Sequence, residues 1–425
     1  MNIVVFEDPG CAKLAPANTC RPSYAITCAT YRLYDWIVQL DGRKTGVVRP
    51  HLQQIQQFDF PDLNDHPDIE SNWTIFINAR AVPSTRTVEQ IIALAGDPAD
   101  TEAASTIAIS GDSVSFARVQ TSLLSDVDVS LWPDRVEKLL IDGRLQRIDD
   151  KLRLFEYPHD IIRANMDCFE GNISHRISAG GYREIADNVF AGEGTIAGEF
   201  ATTNTSSGPV VLDRNVEIGP YCFMKGPVYV GPGTRINEHA SIKDFVSLGH
   251  TCRFGGEAEA VIVEPWSNKQ HHGFLGHSYI GSWVNLGAGT CNSDLKNTYG
   301  EVNMQYEDPE TGITERVSTG MQFVGCVIGD YAKSAINTGI FTGKTIGVCS
   351  MLYGFVTTNV PSFVNHARSL GQSTVMSADV MIKTQGRMFE RRSVEQRPCD
   401  IQLIRDVFEF TRGQRQGMSD ELPSF

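Results

Sequence analysis

Three histidines lie close together in the segment NKQHHGFLGHSYIGSWVNLGAGTCNSD, residues 268–294, although the chain of 425 residues contains only ten. They are His271, His272 and His277, and a run of glycines and small side chains follows them. A histidine can accept a proton from an amine or hydroxyl that attacks a carbonyl group. It can also bind a metal, or remain an exposed loop residue without a task.

A zinc site would be built from the three histidines and Cys291. It requires four groups that converge tetrahedrally on the ion. Neighbouring residues of a strand point to opposite faces, so His271 and His272 could not both serve without a bulge. The sequence therefore predicts no metal here. Two interpretations of these histidines remain, a general base and an exposed loop residue. The choice between them depends on the secondary structure to which the segment belongs.

An apolar residue recurs at every sixth position between residues 209 and 255, and a smaller residue follows each of the first seven by four positions. The recurring residues are Leu212, Ile218, Met224, Val230, Ile236, Ile242, Leu248 and Phe254. Neither a helical period of 3.6 nor a strand period of 2 explains this spacing, whereas a β-helix with short faces and tight corners does. The register returns after two interruptions, 256–273 and 293–323. These are expected to be excursions that build a binding surface.

The pattern resembles that of the hexapeptide-repeat acyltransferases, whose coils form a left-handed parallel β-helix. A closer resemblance is to the bifunctional N-acetylglucosamine-1-phosphate uridyltransferase/glucosamine-1-phosphate acetyltransferase family. One residue of that family's motif is absent before Cys291. The residues that match the motif are His271, Leu275, Gly276, Ile280, Gly281, Val284, Asn285, Leu286, Gly287, Ala288, Gly289, Thr290, Cys291 and Asn292. The resemblance implies transfer of an acetyl group from acetyl-CoA, a co-substrate, to an amino sugar phosphate or nucleotide sugar.

His271 is predicted to be the general base of this reaction, with His272 as the second candidate. In a coil of about eighteen residues, Gly289 is expected one layer above His271, ~4.8 Å away, where it leaves the imidazole accessible. His277 is expected to be structural or to orient its neighbours. An exposed loop residue remains the alternative for His271.

Two further groups of residues are predicted to bind the substrates. Small residues leave backbone exposed, where the extended pantetheine arm of acetyl-CoA can lie; these are Gly287, Ala288 and Gly289. Polar residues on either side of the histidines are predicted to contact the sugar phosphate, with solvated loop residues as the alternative. These are Asn268, Lys269, Asn292 and Lys296.

The first ~160 residues lack the hexad and alternate between strand and helix signals, which predicts a small α/β domain. The segment DPGCAKLAPANTCRP, residues 8–22, is similar to the signature loop of sugar-nucleotide pyrophosphorylases. Four of its residues keep the family spacing: Leu14, Pro16, Arg21 and Pro22. By this resemblance Lys13 stands where the family has its transition-state arginine. Lys13 and Arg21 are therefore the candidate nucleotide-binding residues.

The same loop departs from the family where a phosphate would bind. Pro9 and Cys11 occupy its two glycine positions, and a proline has no N–H to turn toward an anion. The segment Phe76-Ile77-Asn78-Ala79-Arg80 carries no carboxylate where such enzymes bind a metal. The resemblance therefore predicts a degenerate nucleotidyltransferase-like domain, and Mg²⁺ is needed only if this domain is active.

Four parts of the chain follow from these patterns. They are the degenerate α/β domain over 1–160, a helical linker over 161–184, the left-handed β-helix over 185–362 and a helical C-terminal tail over 363–425. Asp400 is predicted to cap a helix in the tail, because apolar residues follow it at spacings of three and four.

The composition bears on the partners and the compartment of the protein. With 51 acidic against 37 basic residues, the formal charge of −14 argues against binding to nucleic acid or an anionic membrane. Ten scattered cysteines, no signal-like N-terminus and no run of ~18 apolar residues favour a reducing cytoplasm. The resemblance implies a homotrimer. Two rival functions remain: an active sugar-1-phosphate nucleotidyltransferase, and a non-enzymatic oligomer that binds sugar nucleotides.

Overall fold

The computed structural model describes residues 1–308, 311–367 and 372–418. The chain divides into two compact units, and the first comprises Met1–Leu14, Arg21–Ile26 and Tyr31–Glu156. The predicted domain 1–160 therefore loses two short segments to the second unit, Ala15–Cys20 and Thr27–Thr30. Thr27 belongs there because its N–H and hydroxyl both donate, over 2.8 Å, to the buried carboxylate of Glu264. Within the described ranges, no helix is long and apolar enough to cross a membrane.

The first part of the chain alternates short strands and helices. The strands are Asn2–Phe6 (β1), Thr27–Cys28 (β2), Tyr31–Arg32 (β3), Arg43–Val47 (β4), Trp73–Asn78 (β5), Thr106–Ser110 (β6), Ser113–Gln120 (β7) and Gln146–Ile148 (β8). The helices are Leu33–Ile37 (α1), Gln53–Asp59 (α2), Thr85–Ala95 (α3) and Trp132–Ile141 (α4). Six strands form a mixed sheet in the order β4-β1-β5-β7-β6-β8, in which β1 runs parallel to β4 and β5. Its buried apolar core includes Val4, Phe76 and Trp132, which gives the α/β character that the sequence predicts.

One long helix, Pro158–Ser178 (α5), follows the first unit. The predicted linker, 161–184, differs from it at both ends. The helix begins earlier because Pro158 occupies its first turn and the Asp160 carboxylate accepts from the N–H of Tyr157 at 2.9 Å. It ends before two glycines with positive φ, Gly180 and Gly181, after which the next strand begins at Tyr182.

The remainder of the second unit is a stack of short strands, followed by two helices. The strands are Tyr182–Ala186 (β9), Val189–Gly192 (β10), Thr202–Asn204 (β11), Val210–Leu212 (β12), Glu217–Ile218 (β13), Phe223–Lys225 (β14), Val228–Val230 (β15), Arg235–Ile236 (β16), Ser241–Ile242 (β17), Val246–Leu248 (β18), Arg253–Phe254 (β19), Glu257–Val263 (β20), Asn268–Lys269 (β21), Phe274–Ile280 (β22), Asn285–Leu286 (β23), Cys291–Asn292 (β24), Asn303–Glu307 (β25), Thr314–Ser318 (β26), Cys326–Ile328 (β27), Lys333–Ser334 (β28), Gly339–Ile340 (β29), Lys344–Ile346 (β30), Met351–Leu352 (β31), Phe355–Val356 (β32), Val364–Ala367 (β33) and Gln372–Val375 (β34). The helices are Ala378–Arg391 (α6) and Pro398–Phe410 (α7).

These strands form the coils of a parallel β-helix with three faces. Strands β12, β15 and β18 pair in parallel on one face, with Val210 opposite Val228 and Val228 opposite Val246, which gives eighteen residues per coil. Strands β13, β16 and β19 form the second face in the same way, and β11, β14 and β17 the third. The apolar residues of the hexad fill the buried core between the faces. The predicted architecture, an α/β unit followed by a parallel β-helix and C-terminal helices, is confirmed.

Residues 256–273 are not an excursion, contrary to the expectation from the hexad. Strand β20 continues the third face, with Ser241 opposite Glu257, and β21 continues the second, with Arg253 opposite Asn268. The hexad fails here because Glu257 follows Ser241 by only sixteen residues and because the inward residue of β21 is a lysine. The later interruption does contain an element of its own, since β25 and β26 pair as an antiparallel hairpin.

The predicted helical tail begins with strands rather than with a helix. Strand β33 runs parallel to β31, with Met351 opposite Asn365, and β34 pairs antiparallel with β33. This last rung pairs the backbone of β33 on both sides, so that β34 is the edge strand of this sheet. Helix α7 starts at Pro398, and Asp400 lies in its first turn, where it accepts from the Arg397 N–H at 2.8 Å. The tail prediction for residues 419–425 lies outside the described residues.

We expect Ile242→Ala to lower the free energy of unfolding by about 2–5 kcal/mol, because it leaves a cavity among packed coils. Ile242 is fully buried between the three faces. Ile336→Ala is the matched control, because Ile336 belongs to the same unit but is 69% exposed; it should change stability by about 0.5 kcal/mol or less. Thermal and urea unfolding followed by circular dichroism measure both. Equal losses in the two variants would contradict the assigned register.

Candidate functional site

His271 and His272 lie at the corner between β21 and β22, and both are exposed. Their backbone is held on both sides: the His271 carbonyl accepts from Lys269 Nζ at 2.9 Å, and the His272 carbonyl accepts from the Gly289 N–H at 3.0 Å. Neither imidazole forms a hydrogen bond or ion pair with another residue of the described ranges. The corner therefore presents two solvated rings on a fixed main chain.

The coils around the histidines are shorter than the eighteen-residue coils at the start of the β-helix. In an earlier coil the corner residue Gly233 donates to the carbonyl of Arg214, nineteen positions before it (233 − 214). The equivalent bond here joins Gly289 to His272, seventeen positions before it (289 − 272). Gly289 therefore lies above Gly273, and both have positive φ, 75° and 129°. The expected placement of Gly289 over His271 is wrong by two residues.

Lys269, predicted to contact a sugar phosphate, lies inside the β-helix. Its side chain is buried, and its ammonium donates to the carbonyls of Gly255 at 3.1 Å and His271 at 2.9 Å. Burial lowers the pKa of Lys269 to about 8. A charge held in this way does not reach a ligand outside the coils, so the structure gives this lysine a different role.

Two more of the predicted substrate residues are used by the fold. The buried amide of Asn292 accepts from the Gly276 N–H at 2.8 Å and donates to the Gly276 carbonyl at 3.0 Å. It thus replaces a rung of backbone hydrogen bonds. The Asn268 side chain accepts from Arg392, in the residues after α6, at 2.9 Å. The half-buried side chain of Lys296 forms no hydrogen bond or ion pair with the residues described, so it alone of the four remains for an anionic substrate.

The predicted pantetheine segment is mostly engaged in holding the coils together. Gly287 N–H donates to the Ser334 carbonyl at 3.2 Å, and the Ala288 carbonyl accepts from the Asn337 N–H at 2.7 Å. The Gly287 carbonyl accepts from Thr290 N–H at 3.1 Å. These bonds leave the Ala288 N–H and the Gly289 carbonyl without a partner among the described residues. The segment therefore fits one amide group of a ligand rather than a long exposed strand.

His277 and Asp294 form a pair that the sequence did not predict. The imidazole Nδ1 and a carboxylate oxygen are 2.8 Å apart, both side chains are mostly buried, and the Phe323 ring stacks on the imidazole at 5.2 Å. Gly325 N–H donates to the His277 carbonyl at 2.8 Å, and Val324 N–H to the Asp294 carbonyl at 2.9 Å. The bond between Val324 and Asp294 joins the two ends of the segment that contains the hairpin, and the His277–Asp294 pair fixes that point to β22, which agrees with a structural role. Nowhere in 1–308, 311–367 or 372–418 do three or more His, Cys, Asp or Glu side chains converge as a metal site would require.

The front loop of the first unit contains two acidic residues, and each is neutralised internally. Glu7 follows β1, and its carboxylate accepts from the Ser23 N–H and hydroxyl at 2.8 Å and from Arg49 Nε at 2.9 Å. Burial raises the pKa of Glu7, but the Arg49 guanidinium and the surrounding N–H donors outweigh it, so the pKa is lowered. Glu7 thus remains a charged structural carboxylate.

Asp8 is bound by Arg80, which follows β5. The guanidinium donates to the two carboxylate oxygens at 2.8 and 2.7 Å, and Asn78 donates to Asp8 at 2.9 Å. A cation thus stands beside Asp8 where the resemblance calls for a metal-binding carboxylate, so the residues present do not fit Mg²⁺. Lys13 is exposed and Arg21 half-buried, and the Arg21 carbonyl accepts from the same Arg49 that binds Glu7. The loop is built to be stable without a nucleotide.

Comparison with known proteins finds relatives for segments of this chain. Residues 3–176 match the family described as sugar nucleotidyl transferase. The bifunctional protein GlmU of Alkalilimnicola ehrlichii is 34% identical over 109 residues, 20% of this chain and 23% of that protein. The bifunctional sugar-1-phosphate nucleotidylyltransferase/acetyltransferase of Sulfurisphaera tokodaii is 29% identical over 149 residues, 34% of this chain and 35% of that protein.

Among solved structures, the Arabidopsis UDP-N-acetylglucosamine acyltransferase covers 52% of this chain and 94% of its own at 14% identity. Its TM-score of 0.25 is too low to bear on fold or function. The chain spans much less than half the length of the two bifunctional relatives above, so the comparison concerns segments rather than whole proteins. Within those segments, the resemblance to the bifunctional nucleotidyltransferase–acetyltransferase family that the sequence motifs indicated is confirmed.

Proposed function

We propose that the protein is an acyltransferase that moves an acetyl group from acetyl-CoA to an amino sugar phosphate or nucleotide sugar at the histidine corner. The observation that carries the proposal is the exposed, unpaired ring of His271 on a main chain held by Lys269 and Gly289. A base of this kind must meet the acceptor from outside while its backbone stays in place. The cytoplasm, where acetyl-CoA is made and used, is the proposed compartment.

The chemistry requires one nucleophilic attack and one proton transfer. The neutral amine of the acceptor attacks the thioester carbonyl, the carbon–nitrogen bond forms, the carbon–sulfur bond breaks and the thiolate leaves. The imidazole of His271 takes the amine proton and returns it to the departing sulfur or to water, a contribution of ~10²–10⁴ in rate. His272, equally exposed, is the second candidate for this role.

The surrounding groups suggest how the substrates are held. Among the four predicted substrate residues, Lys296 has the side chain without a partner in the described part of the chain. Its ammonium is a point charge that suits the phosphate of the acceptor. The Ala288 N–H and Gly289 carbonyl suit an amide of the pantetheine arm. The first unit, with its ion-paired loop, is proposed to bind the nucleotide part of an acceptor weakly or to have lost that role.

The alternative function is that of a binding protein, in which the histidine corner catalyses no reaction. A non-enzymatic oligomer would bind sugar nucleotides and release no thiol from acetyl-CoA. The discriminating experiment is thiol release measured over a panel of amino sugars, their 1-phosphates and their nucleotide forms. Turnover with one class supports the transferase, and saturable binding without turnover supports the binding protein.

We expect His271→Ala to lower kcat by ~10²–10⁴ with a smaller change in KM, because the base acts mainly in the transition state. The melting temperature should change little, since an exposed ring contributes little to the core. His272→Ala is the matched control and should cost far less. Full activity in His271→Ala together with loss in His272→Ala would make the neighbour the base, and unchanged activity in both would end the catalytic assignment.

We expect little or no pyrophosphate release from any nucleoside triphosphate and sugar 1-phosphate, with or without Mg²⁺. The reason is the Asp8–Arg80 ion pair, which places a guanidinium where a metal is required. A functional pyrophosphorylase is the positive control. Robust Mg²⁺-dependent turnover that is lost on changing Lys13 or Arg21 would instead favour a working nucleotidyltransferase.

We expect a homotrimer, as the resemblance implies. Light scattering at micromolar concentration should give about three times the 46.9 kDa chain mass. Unchanged mass for His271→Ala would show that the base contributes to chemistry rather than to assembly. A persistent monomer would contradict the expected trimer.

A further inference from the structure

A lysine occupies a position in the β-helix that the fold otherwise gives to uncharged residues. Successive strands of the second face place their inward residues in one row, of which Ile236, Phe254 and Lys269 are consecutive members. The row runs through Ile218, Ile236, Phe254, Lys269, Leu286, Ser334, Leu352 and His366. Each is buried, and Lys269 is 3% exposed. A charge at such a site opposes folding unless specific partners hold it, so it calls for an explanation.

The partners of Lys269 are two carbonyl groups at one corner. Its ammonium donates to Gly255 at 3.1 Å and to His271 at 2.9 Å, and it lies 5.7 Å from the centre of the Phe254 ring. Gly255 and His271 belong to successive coils, so the ammonium joins one layer to the next. Hydrogen bonds from a charged donor are stronger than the backbone bonds around them.

The corner needs such a link because its coil is short and its turn is unusual. A Cβ at Gly273 would collide with the Thr290 carbonyl, and the φ of Gly273 is 129°, so the main chain turns sharply after His272. From the next layer the Gly289 N–H donates to the His272 carbonyl at 3.0 Å. The flanking carbonyls of Gln270 and Gly273 accept from the Asn237 amide at 2.9 Å and from the Glu257 N–H at 3.0 Å. The main chain of the two histidines is therefore held by Lys269 from within the coils and by Gly289 from the next layer.

We infer that Lys269 is a positioning residue for the proposed acyl transfer: it fixes the main chain that presents His271, and it does not bind the substrate. This inference rests on the proposed function for its catalytic part only, because the mechanical part concerns the corner itself. The lowered pKa of the ammonium agrees with its burial but is not needed for the argument.

The test replaces Lys269 by Met, which keeps the length and apolar stem and removes the N–H donors. Hydrogen–deuterium exchange of the peptide that contains Gly289 should become at least ~10-fold faster, since the His272 carbonyl loses its fixed position. If thiol release is observed in the wild type, kcat should fall ~10–10²-fold with little change in KM, as expected when a catalytic group is displaced by about 1 Å.

The matched control is Lys333→Met. Lys333 also has its pKa lowered by burial to about 8 and donates to a carbonyl, that of Tyr331 at 2.9 Å, but it does not contact the histidine corner. Its replacement should leave exchange at Gly289 and kcat close to wild type. Lys269→Gln, which retains N–H donors without the charge, should give exchange between the wild type and Lys269→Met, and it serves as the test if Lys269→Met fails to fold.

The outcomes separate the two proposals. Unchanged exchange at Gly289 in Lys269→Met, or equal acceleration in Lys333→Met, would overturn the positioning role. A large rise in KM for phosphorylated acceptors with unchanged exchange would also overturn it, in favour of substrate binding. If the wild type releases no thiol with any acceptor, the proposed function fails, and exchange at Gly289 still decides the role of Lys269.

Discussion

The second unit depends on one constraint, which is that every coil of a parallel β-helix must pair its backbone with the coils on both sides. Where coils have eighteen residues, as from Val210 to Val246, backbone rungs alone satisfy this requirement. Around the histidines, paired residues of successive coils lie fifteen to seventeen positions apart, and side chains complete the pairing. The amide of Asn292 acts as a rung for Gly276, the Cys291 sulfur accepts from the Phe274 N–H at 3.3 Å, and Lys269 joins two carbonyls. The irregular coil is thus stabilised by the polar residues that the sequence assigned to substrates.

The sequence predicted the fold well where the hexad is regular, because a strict period leaves one way to bury the large side chains. The prediction failed at 256–273, which was expected to be an excursion from the coils. The cause is a charged residue, Lys269, at a buried position, together with a change in coil length. The residue missing from the motif before Cys291 indicates a short coil. The prediction nevertheless assumed eighteen residues for every coil. The His277–Asp294 pair was missed for the same reason, since its two residues lie seventeen positions apart, which is the length of one short coil.

The candidate site was predictable in residue type but not in role. Spacing and resemblance located the histidine corner, and the structure leaves His271 and His272 exposed there. Polar residues near a predicted site have two uses, binding a ligand or satisfying the fold, and sequence alone does not separate them. Burial and hydrogen-bond geometry do: the side chains of Asn268, Lys269 and Asn292 have protein partners, whereas the Lys296 side chain has none among the residues described.

In the first unit, polar side chains also satisfy one another, but here they occupy the place where a ligand would bind. At the ends of β1 and β5, Asp8 and Arg80 satisfy each other, and Glu7 is satisfied by Arg49 and Ser23. A nucleotide and its metal would have to displace these internal partners before binding. The free energy needed to break the ion pairs would weaken binding, whereas a glycine-rich loop has no such pairs to break. At the histidine corner the internal partners hold only the main chain, and the rings are left to solvent. A fully paired polar group contributes to stability, while an unpaired ring on a fixed backbone remains available for proton transfer, so the difference in pairing is the physical reason to place the chemistry in the β-helix.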